Sequence, residues 1–432
     1  MSTRVVIVGG GLAGLSAAVH ARAGGAEVTL VDPGPLGGTA RTAEPAPGWR
    51  IETGPHTFTA RCPSLLALIT ALGLRDDVVP LGSAAKARFL RRNGKLKANA
   101  GALGLGEVFA LVRGLFARAN TADDASIREW VAARFGERVA DEVVGAMVTG
   151  IWASLPEEVE MASAFPAVAA AVKAHGTAFS AAMAARRKAE PSPLPGGTWT
   201  VKGGLGRIGE RAEQQLGGQR LRATADSIRR EGDEWVVATS SGELRADRVI
   251  VALPAWRAAP LLEEVAPNAA AALAGIEYSP ILGAHWTSRD CAFPVGFGYL
   301  ASKVEKAPVL GMLFTSDLFP DRVPAGARGG ATLLGGTREP VAVELSEAEV
   351  RRRILAEHQT LTGKAMTLDT LTLVRHPYAV AVPAPGHAAL RARVHAALPT
   401  GLRLAGAWDG SGAMEDAARS GQDAARAALE AA

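Results

Sequence analysis

The chain has 432 residues, enough for two or three domains at about 150 residues each. Apolar residues make up 48% and charged ones 21%, which excludes a disordered chain. Lys plus Arg number 47 against 43 Asp plus Glu, a balance that gives no reason to expect nucleic acid as a partner.

Two cysteines, Cys62 and Cys291, are too few for a disulfide framework and lack metal-ligand spacing, so they read as reduced thiols. The N-terminus enters a strand directly, with no basic and apolar leader, and a cytoplasmic protein is expected. Residues 4–8 (Arg4-Val5-Val6-Ile7-Val8) are short, β-branched and ended by glycine, the pattern of a buried parallel strand. Gly9-Gly10-Gly11-Leu12-Ala13-Gly14 then opens a helical segment over 15–23, and residues 27–31 form a second strand ending at Asp32. Residues from about 57 to 195 read as mainly helical. Within them, Ser126 and Glu129 have the spacing of a capping box. Residues 186–198 carry Pro191, Pro193, Pro195, Gly196 and Gly197 and read as a loop between domains.

Beyond that loop, Gly203-Gly204-Leu205 opens a helix, and 223–228 and 234–239 alternate as strands about a turn at 231–233. Residues 248–252 predict another buried strand. Residues 276–380 hold strand-like runs at 281–286, 308–315, 331–335 and 370–374 and a helix from Ser346, which together suggest a mostly antiparallel sheet. A short strand at 403–406 and a helix from Asp416 close the chain.

The glycine motif sits after a strand, before a helix, and 18 residues ahead of an acid. Gly9 permits the tight turn, Gly11 admits a pyrophosphate, and Gly14 lets helix and strand pack closely. The helix N-terminus suits phosphate, and Asp32 suits a ribose hydroxyl. The spacing therefore predicts dinucleotide binding. No His, Glu and Asp cluster has metal-ligand spacing, and no nucleophile–base set stands out.

A long detour separates this unit from its return near the C-terminus. That organisation resembles the flavin amine oxidase superfamily. Gly37-Gly38-Thr39-Ala40-Arg41 matches its second FAD fingerprint, and Leu404-Ala405-Gly406-Ala407-Trp408-Asp409-Gly410-Ser411-Gly412-Ala413-Met414-Glu415-Asp416 matches its closing motif. The middle of the chain resembles protoporphyrinogen oxidases and their coproporphyrinogen-oxidising relatives. The stretches that carry this include Ser126-Ile127-Arg128-Glu129-Trp130, Val148-Thr149-Gly150-Ile151-Trp152-Ala153, Gly296-Phe297-Gly298-Tyr299-Leu300 and Thr332-Leu333-Leu334-Gly335-Gly336.

The resemblance implies an α/β fold: a Rossmann-like FAD-binding domain (1–58, 198–260 and 400–432), a helical insertion (59–197) and a mixed-sheet substrate domain (261–399). It implies FAD contacts at Gly9, Gly10, Gly11, Leu12, Ala13, Gly14, Asp32, Pro33, Thr39, Arg41, Gly54, Pro55, His56, Thr57, Ala225, Ala407, Gly412, Ala413 and Met414. It implies a tetrapyrrole substrate held by Arg88, the main chain at Gly150, and Phe297, Leu300 and Leu333. Read as residues alone, Arg88 also fits a solvated surface cation, Gly150 a helix-ending glycine, and the three apolar residues ordinary core. Flavin N5 carries the chemistry, by successive hydride transfers from the porphyrinogen bridges, and no side-chain base is assigned. Molecular oxygen is the expected acceptor. A monomer and a homodimer both stay open.

Two departures from the family pattern stand out. Pro383-Ala384-Pro385-Gly386-His387 is two residues short, and Glu415 stands where asparagine is common, which is expected to bring negative charge near the flavin. His376 and His387 read as structural or exposed. Residues 103–116 form the most apolar helix, with Arg113 and Arg118 toward its end and Lys95 and Lys97 before it. It reads either as an interfacial anchor on the inner face of the cell membrane or as a core or substrate-channel helix, so membrane contact is at most peripheral.

Overall fold

The computed structural model describes residues 2–98, 101, 103–118, 120–187 and 192–430. Pro191 of the expected loop lies outside them. Five parallel strands form the nucleotide-type sheet, in the order Arg220–Leu221, Glu27–Val31, Arg4–Val8, Arg248–Val251, Leu402–Leu404. Three distant stretches of chain thus meet in one sheet. Strand alternation divides its side chains between two cores. Val5, Ile7 and Ile250 pack beneath the helices Leu12–Ala23, Pro63–Ala71 and Met414–Glu430. Val6, Val8, Val249 and Val251 pack on the other side, against the antiparallel strands Ala225–Glu231 and Glu234–Thr239 and the helices Ala255–Leu262 and Pro267–Ala274.

The first helix begins at Leu12, three residues before the apolar period suggests, because Gly11 already serves as its N-cap. The last begins at Met414, two residues before Asp416. The capping box at Ser126 forms as read: Ser126 Oγ accepts from Glu129 N (3.2 Å), and Glu129 accepts from Ser126 N (2.9 Å). Ser346 likewise caps the helix Glu347–Thr362.

The second large sheet has seven strands, ordered Thr370–Ala381, Tyr278–Ser288, Arg328–Gly335, Gly311–Leu313, Gly298–Leu300, Arg88–Arg92, Lys95–Ala98. Its last two strands correct the reading of 57–195 as mainly helical. Arg88–Arg92 runs parallel to Gly298–Leu300, a partner more than 200 residues away. One face of this sheet carries Leu282, Ala284, Trp286, Met312 and Leu334, closed by Val350 and Ile354 of the helix Glu347–Thr362. The other face carries the candidate site. Helices occupy much of 105–187, with a widened π-type stretch at Val139–Val144 leading into Gly145–Trp152.

Candidate active site

Gly9 leaves its strand at φ 110°, a conformation that favours glycine, and its N–H donates to Val31 O (2.9 Å). A Cβ at Gly14 would fall inside the Gly9 carbonyl oxygen, whereas one at Gly11 would meet only the Gly38 Cα at 3.9 Å. The loop is therefore closed on its protein side and open toward Gly38. The helix behind it has no side-chain cap and no acid in its first turn. Its leading N–H groups face the open side with partial positive charge, as a pyrophosphate requires.

Asp32 accepts from Gly10 N (2.6 Å) and Gly34 N (2.8 Å). A carboxylate has about four lone-pair directions, so capacity remains for a ribose hydroxyl. Pro33, Gly38, Thr39 and Arg41 are exposed along the same groove, with Arg41 donating to Pro35 O (3.0 Å). Gly54 packs against the Thr39 carbonyl, which brings Pro55, His56 and Thr57 to the end of the groove. Ala225 is half-buried at an irregular strand start beside it.

The closing turn is held by its own hydrogen bonds. Gly412 (φ 93°) donates to Ala407 O (3.2 Å), and Asp416 accepts from Ser411 N (2.9 Å) and Ala413 N (3.3 Å). Trp152 Nε1 reaches across to Ser411 O (2.6 Å). Ala413 is exposed and Met414 half-buried at the start of the last helix. These residues fit FAD: open backbone donors at a helix start, an acid beyond them, and a second helix start at the far end.

Opposite lies the free face of the seven-stranded sheet, whose contents follow from register. One row across it runs Arg88, Gly298, Leu313, Ala331, His285, Thr372. The next runs Leu90, Leu300, Gly311, Leu333, Gly283, Val374. Arg88, Leu300 and Leu333 thus share one face. The Arg88 guanidinium lies 4.0 Å from the Phe297 ring centroid and donates to Thr198 Oγ1 (2.9 Å). Gly150 meets Leu300 so closely that a Cβ there would lie 2.6 Å from its Cδ1. All five proposed substrate residues are thus linked through this sheet.

Three histidines close one end of the face. His285 is 3% exposed and stacks on His56 with ring centroids 5.8 Å apart. His376 Nε2 contacts Thr53 O at 2.7 Å. His285 is not among the residues that the sequence singles out, and His376 is expected there to be structural or exposed. The available signal was the alternation Ile281, Gly283, His285 against Leu282, Ala284, Trp286. Burial, aided by Arg322, pulls the His56 imidazole down to about 4. Burial, aided by His56 and His376, pulls His285 down to about 3. Both rings are neutral at pH 7. Both hold protons less readily folded than unfolded, so their contribution to stability is complete above the unfolded value near 6.5 and is lost as pH falls toward 4 and 3. Denaturant midpoints should drop over that window, and His285→Gln should flatten the drop; an unchanged slope in the variant would contradict this.

Glu415 does not direct its charge at the cradle. Its carboxylate accepts from Ser64 N (3.0 Å) and Leu65 N (2.9 Å), at the start of the helix Pro63–Ala71. The helix Leu105–Leu115 is not a core helix: Leu105 is 92% and Phe109 70% exposed, and only Glu107 and Gly114 are buried. Among the described residues, no helix is long and apolar enough to cross a membrane.

The chain is similar to known proteins along most of its length. A coproporphyrinogen III oxidase of Mycobacterium leprae is 28% identical over 435 residues, covering 94% of each chain. Human protoporphyrinogen oxidase is 28% identical over 374 residues, covering 78% of each. Among solved structures, a chain from Exiguobacterium sp. 255-15 superposes with TM-score 0.82 at 20% identity, covering 100% of this chain and 99% of that one. Cyclohexylamine oxidase from Brevibacterium oxydans gives TM-score 0.73 at 19% identity, again covering 100% and 99%. The profile of the flavin containing amine oxidoreductases matches residues 12–429, and the chain belongs to that family of FAD-dependent oxidoreductases.

Proposed function

We propose that this protein oxidises a porphyrinogen, coproporphyrinogen III or protoporphyrinogen IX, to the porphyrin in heme biosynthesis. The observation that carries the reading is the placement of Arg88 on Phe297 at one end of an apolar sheet face opposite the flavin cradle. The two porphyrinogen-oxidising relatives support it. A cation at the edge of the site suits a substrate bearing carboxylates. It disfavours the protonated amines that other members of the fold oxidise, because like charges would meet in a partly dry pocket.

FAD, when bound, supplies the electron sink that takes hydride from a bridge carbon. The chain's own residues bind and orient. Leu300 and Leu333 give a tetrapyrrole an apolar surface, as a ligand of that size requires. Gly150 and Gly311 let backbone approach the Leu300 side chain closely. Arg88 is exposed at the edge of the face, where partial desolvation disfavours its charge and a bound propionate would favour it. The residues assigned above to FAD hold it by main-chain donors and Asp32.

Arg88→Ala should therefore weaken a propionate-bearing porphyrinogen by about 1.5–3 kcal/mol, on the order of ten- to a hundredfold. KM and the dissociation constant should rise together, with kcat much less affected. An unchanged affinity would contradict the pose. Molecular oxygen as acceptor, the three-part division of the chain, and a cytoplasmic protein that is monomeric or homodimeric belong to the same reading. The exposed row Leu105, Phe109, Val112 and Phe116, with Arg113 alongside, supports a peripheral membrane contact at most.

A further inference from the structure

We propose that His285 is the proton acceptor of this reaction, its Nε2 taking a pyrrole N–H proton from the porphyrinogen as the neighbouring bridge carbon gives up hydride. The inference rests on the porphyrinogen reading above.

His285 stands on the strand Tyr278–Ser288, on the sheet face that carries Arg88, Leu300 and Leu333. Its ring lies along the strand over Gly283, where an added Cβ would come within 3.4 Å of Nε2. Gly283 is the register partner of Leu333, so Nε2 sits beside the apolar surface assigned to the macrocycle. Glycine at 283 removes one side chain that would otherwise pack on that nitrogen.

Among the described residues, the His285 imidazole makes no hydrogen bond. Its Nδ1 is buried without a partner, and its stacking on His56 satisfies neither nitrogen. The hydrogen-bonding capacity of this imidazole is thus unused by the protein. A ligand with N–H donors would use Nε2, while Nδ1 keeps the imidazole's own proton. A porphyrinogen presents four pyrrole N–H groups and, apart from its carboxylates, no strong acceptor. With its own proton on Nδ1, His285 offers Nε2 as a lone pair. The charged and titratable groups around this end are His56, His376 and Arg322, with Glu52 behind Arg322 and spent on its ion pair, so that no acid acts on the His285 imidazole to hold it protonated. The ring is neutral at rest and able to accept.

The step balances as one two-electron oxidation. A bridge C–H bond breaks and its electron pair leaves as hydride to the flavin. The adjoining pyrrole N–H bond breaks, its pair stays on the macrocycle to complete the new C=N unit, and the proton forms an N–H bond at Nε2. His285 is reset when that proton passes to solvent as the macrocycle turns or departs.

Two variants of the FAD-loaded enzyme test this. His285→Gln keeps a hydrogen-bond acceptor without the basicity, and His285→Phe keeps neither. With the flavin held reduced under anaerobic dithionite, coproporphyrinogen III binds without turnover and calorimetry reads its dissociation constant. The glutamine variant should bind within about twofold of the parent chain and the phenylalanine variant about tenfold more weakly. In anaerobic mixing with oxidised flavin, both should bleach the flavin about a hundredfold more slowly, with a larger solvent isotope effect than the parent chain. Flavin bleaching by His285→Gln at the parent rate would overturn the proposal. So would a loss of FAD occupancy and thermal stability equal in both variants that accounts for the whole rate change, since that would mark a structural role. If the parent chain itself is bleached by neither coproporphyrinogen III nor protoporphyrinogen IX, it is the porphyrinogen reading that fails.

Discussion

A Gly14→Val chain should purify without flavin colour. The valine Cβ would occupy the position of the Gly9 carbonyl oxygen, so the helix Leu12–Ala23 would have to move away from its strand. It has nowhere to go. Gly421 of the C-terminal helix packs so closely on the other side that a Cβ there would overlap the Ala13 carbonyl. Overpacking of this kind costs about 1–3 kcal/mol or more, and the displaced N–H groups no longer converge on a phosphate. We expect FAD affinity to fall at least about a hundredfold, read from flavin absorbance during titration of the apoprotein. Gly106→Ala is the control: no atom lies within 4 Å of its added Cβ, and it should load FAD normally. Normal loading of Gly14→Val would contradict the assignment of the cradle.

Arg322→Leu should cost about 3–5 kcal/mol of stability, because it leaves a buried carboxylate without its cation. The Arg322 and Glu52 side chains are 3% and 1% exposed and meet at 2.5 Å. Glu52 also accepts from Leu205 N (3.0 Å) and Thr42 Oγ1 (2.9 Å), while Arg322 donates to Val201 O (3.0 Å). One ion pair thus ties the strand Trp49–Glu52 to the start of the helix Gly206–Leu216, to the strand Thr198–Val201 and to the turn Pro320–Arg322. Burial raises the Glu52 carboxyl above its ordinary range even with Arg322 beside it, which shows how poorly the site tolerates an unpaired charge. Adding Glu52→Gln to Arg322→Leu should recover part of the loss. Denaturant midpoints measure both effects. A single variant that costs less than about 1 kcal/mol, with no recovery in the double, would contradict this account. FAD affinity should fall in the single variant as well, because Glu52 leads directly into Thr53 and His56.

The cradle was legible in the sequence because it is local. Gly9 to Gly14, Asp32 and the strands around them fall within one unit whose spacing is fixed by strand–turn–helix geometry. The caps at Ser126 and Ser346 are local for the same reason. What escaped reading depends on long-range pairing. The strand Arg88–Arg92 is defined by its partner Gly298–Leu300, and Glu415 by a helix start some 350 residues away. The stripe Leu105, Val108, Phe109, Val112 has core periodicity, yet no periodicity states whether a partner covers it. His285 follows the same logic. Alternation places it on the face opposite Trp286, but its closeness to His56 comes from the packing of two distant segments.

The most direct test mixes FAD-loaded protein in air with coproporphyrinogen III and, separately, with protoporphyrinogen IX, and follows porphyrin fluorescence against an enzyme-free control. Enzyme-dependent porphyrin formation from at least one of them is expected, with the ratio of rates naming the preferred substrate. No acceleration with either, from protein showing a normal oxidised-flavin spectrum, would contradict the porphyrinogen reading.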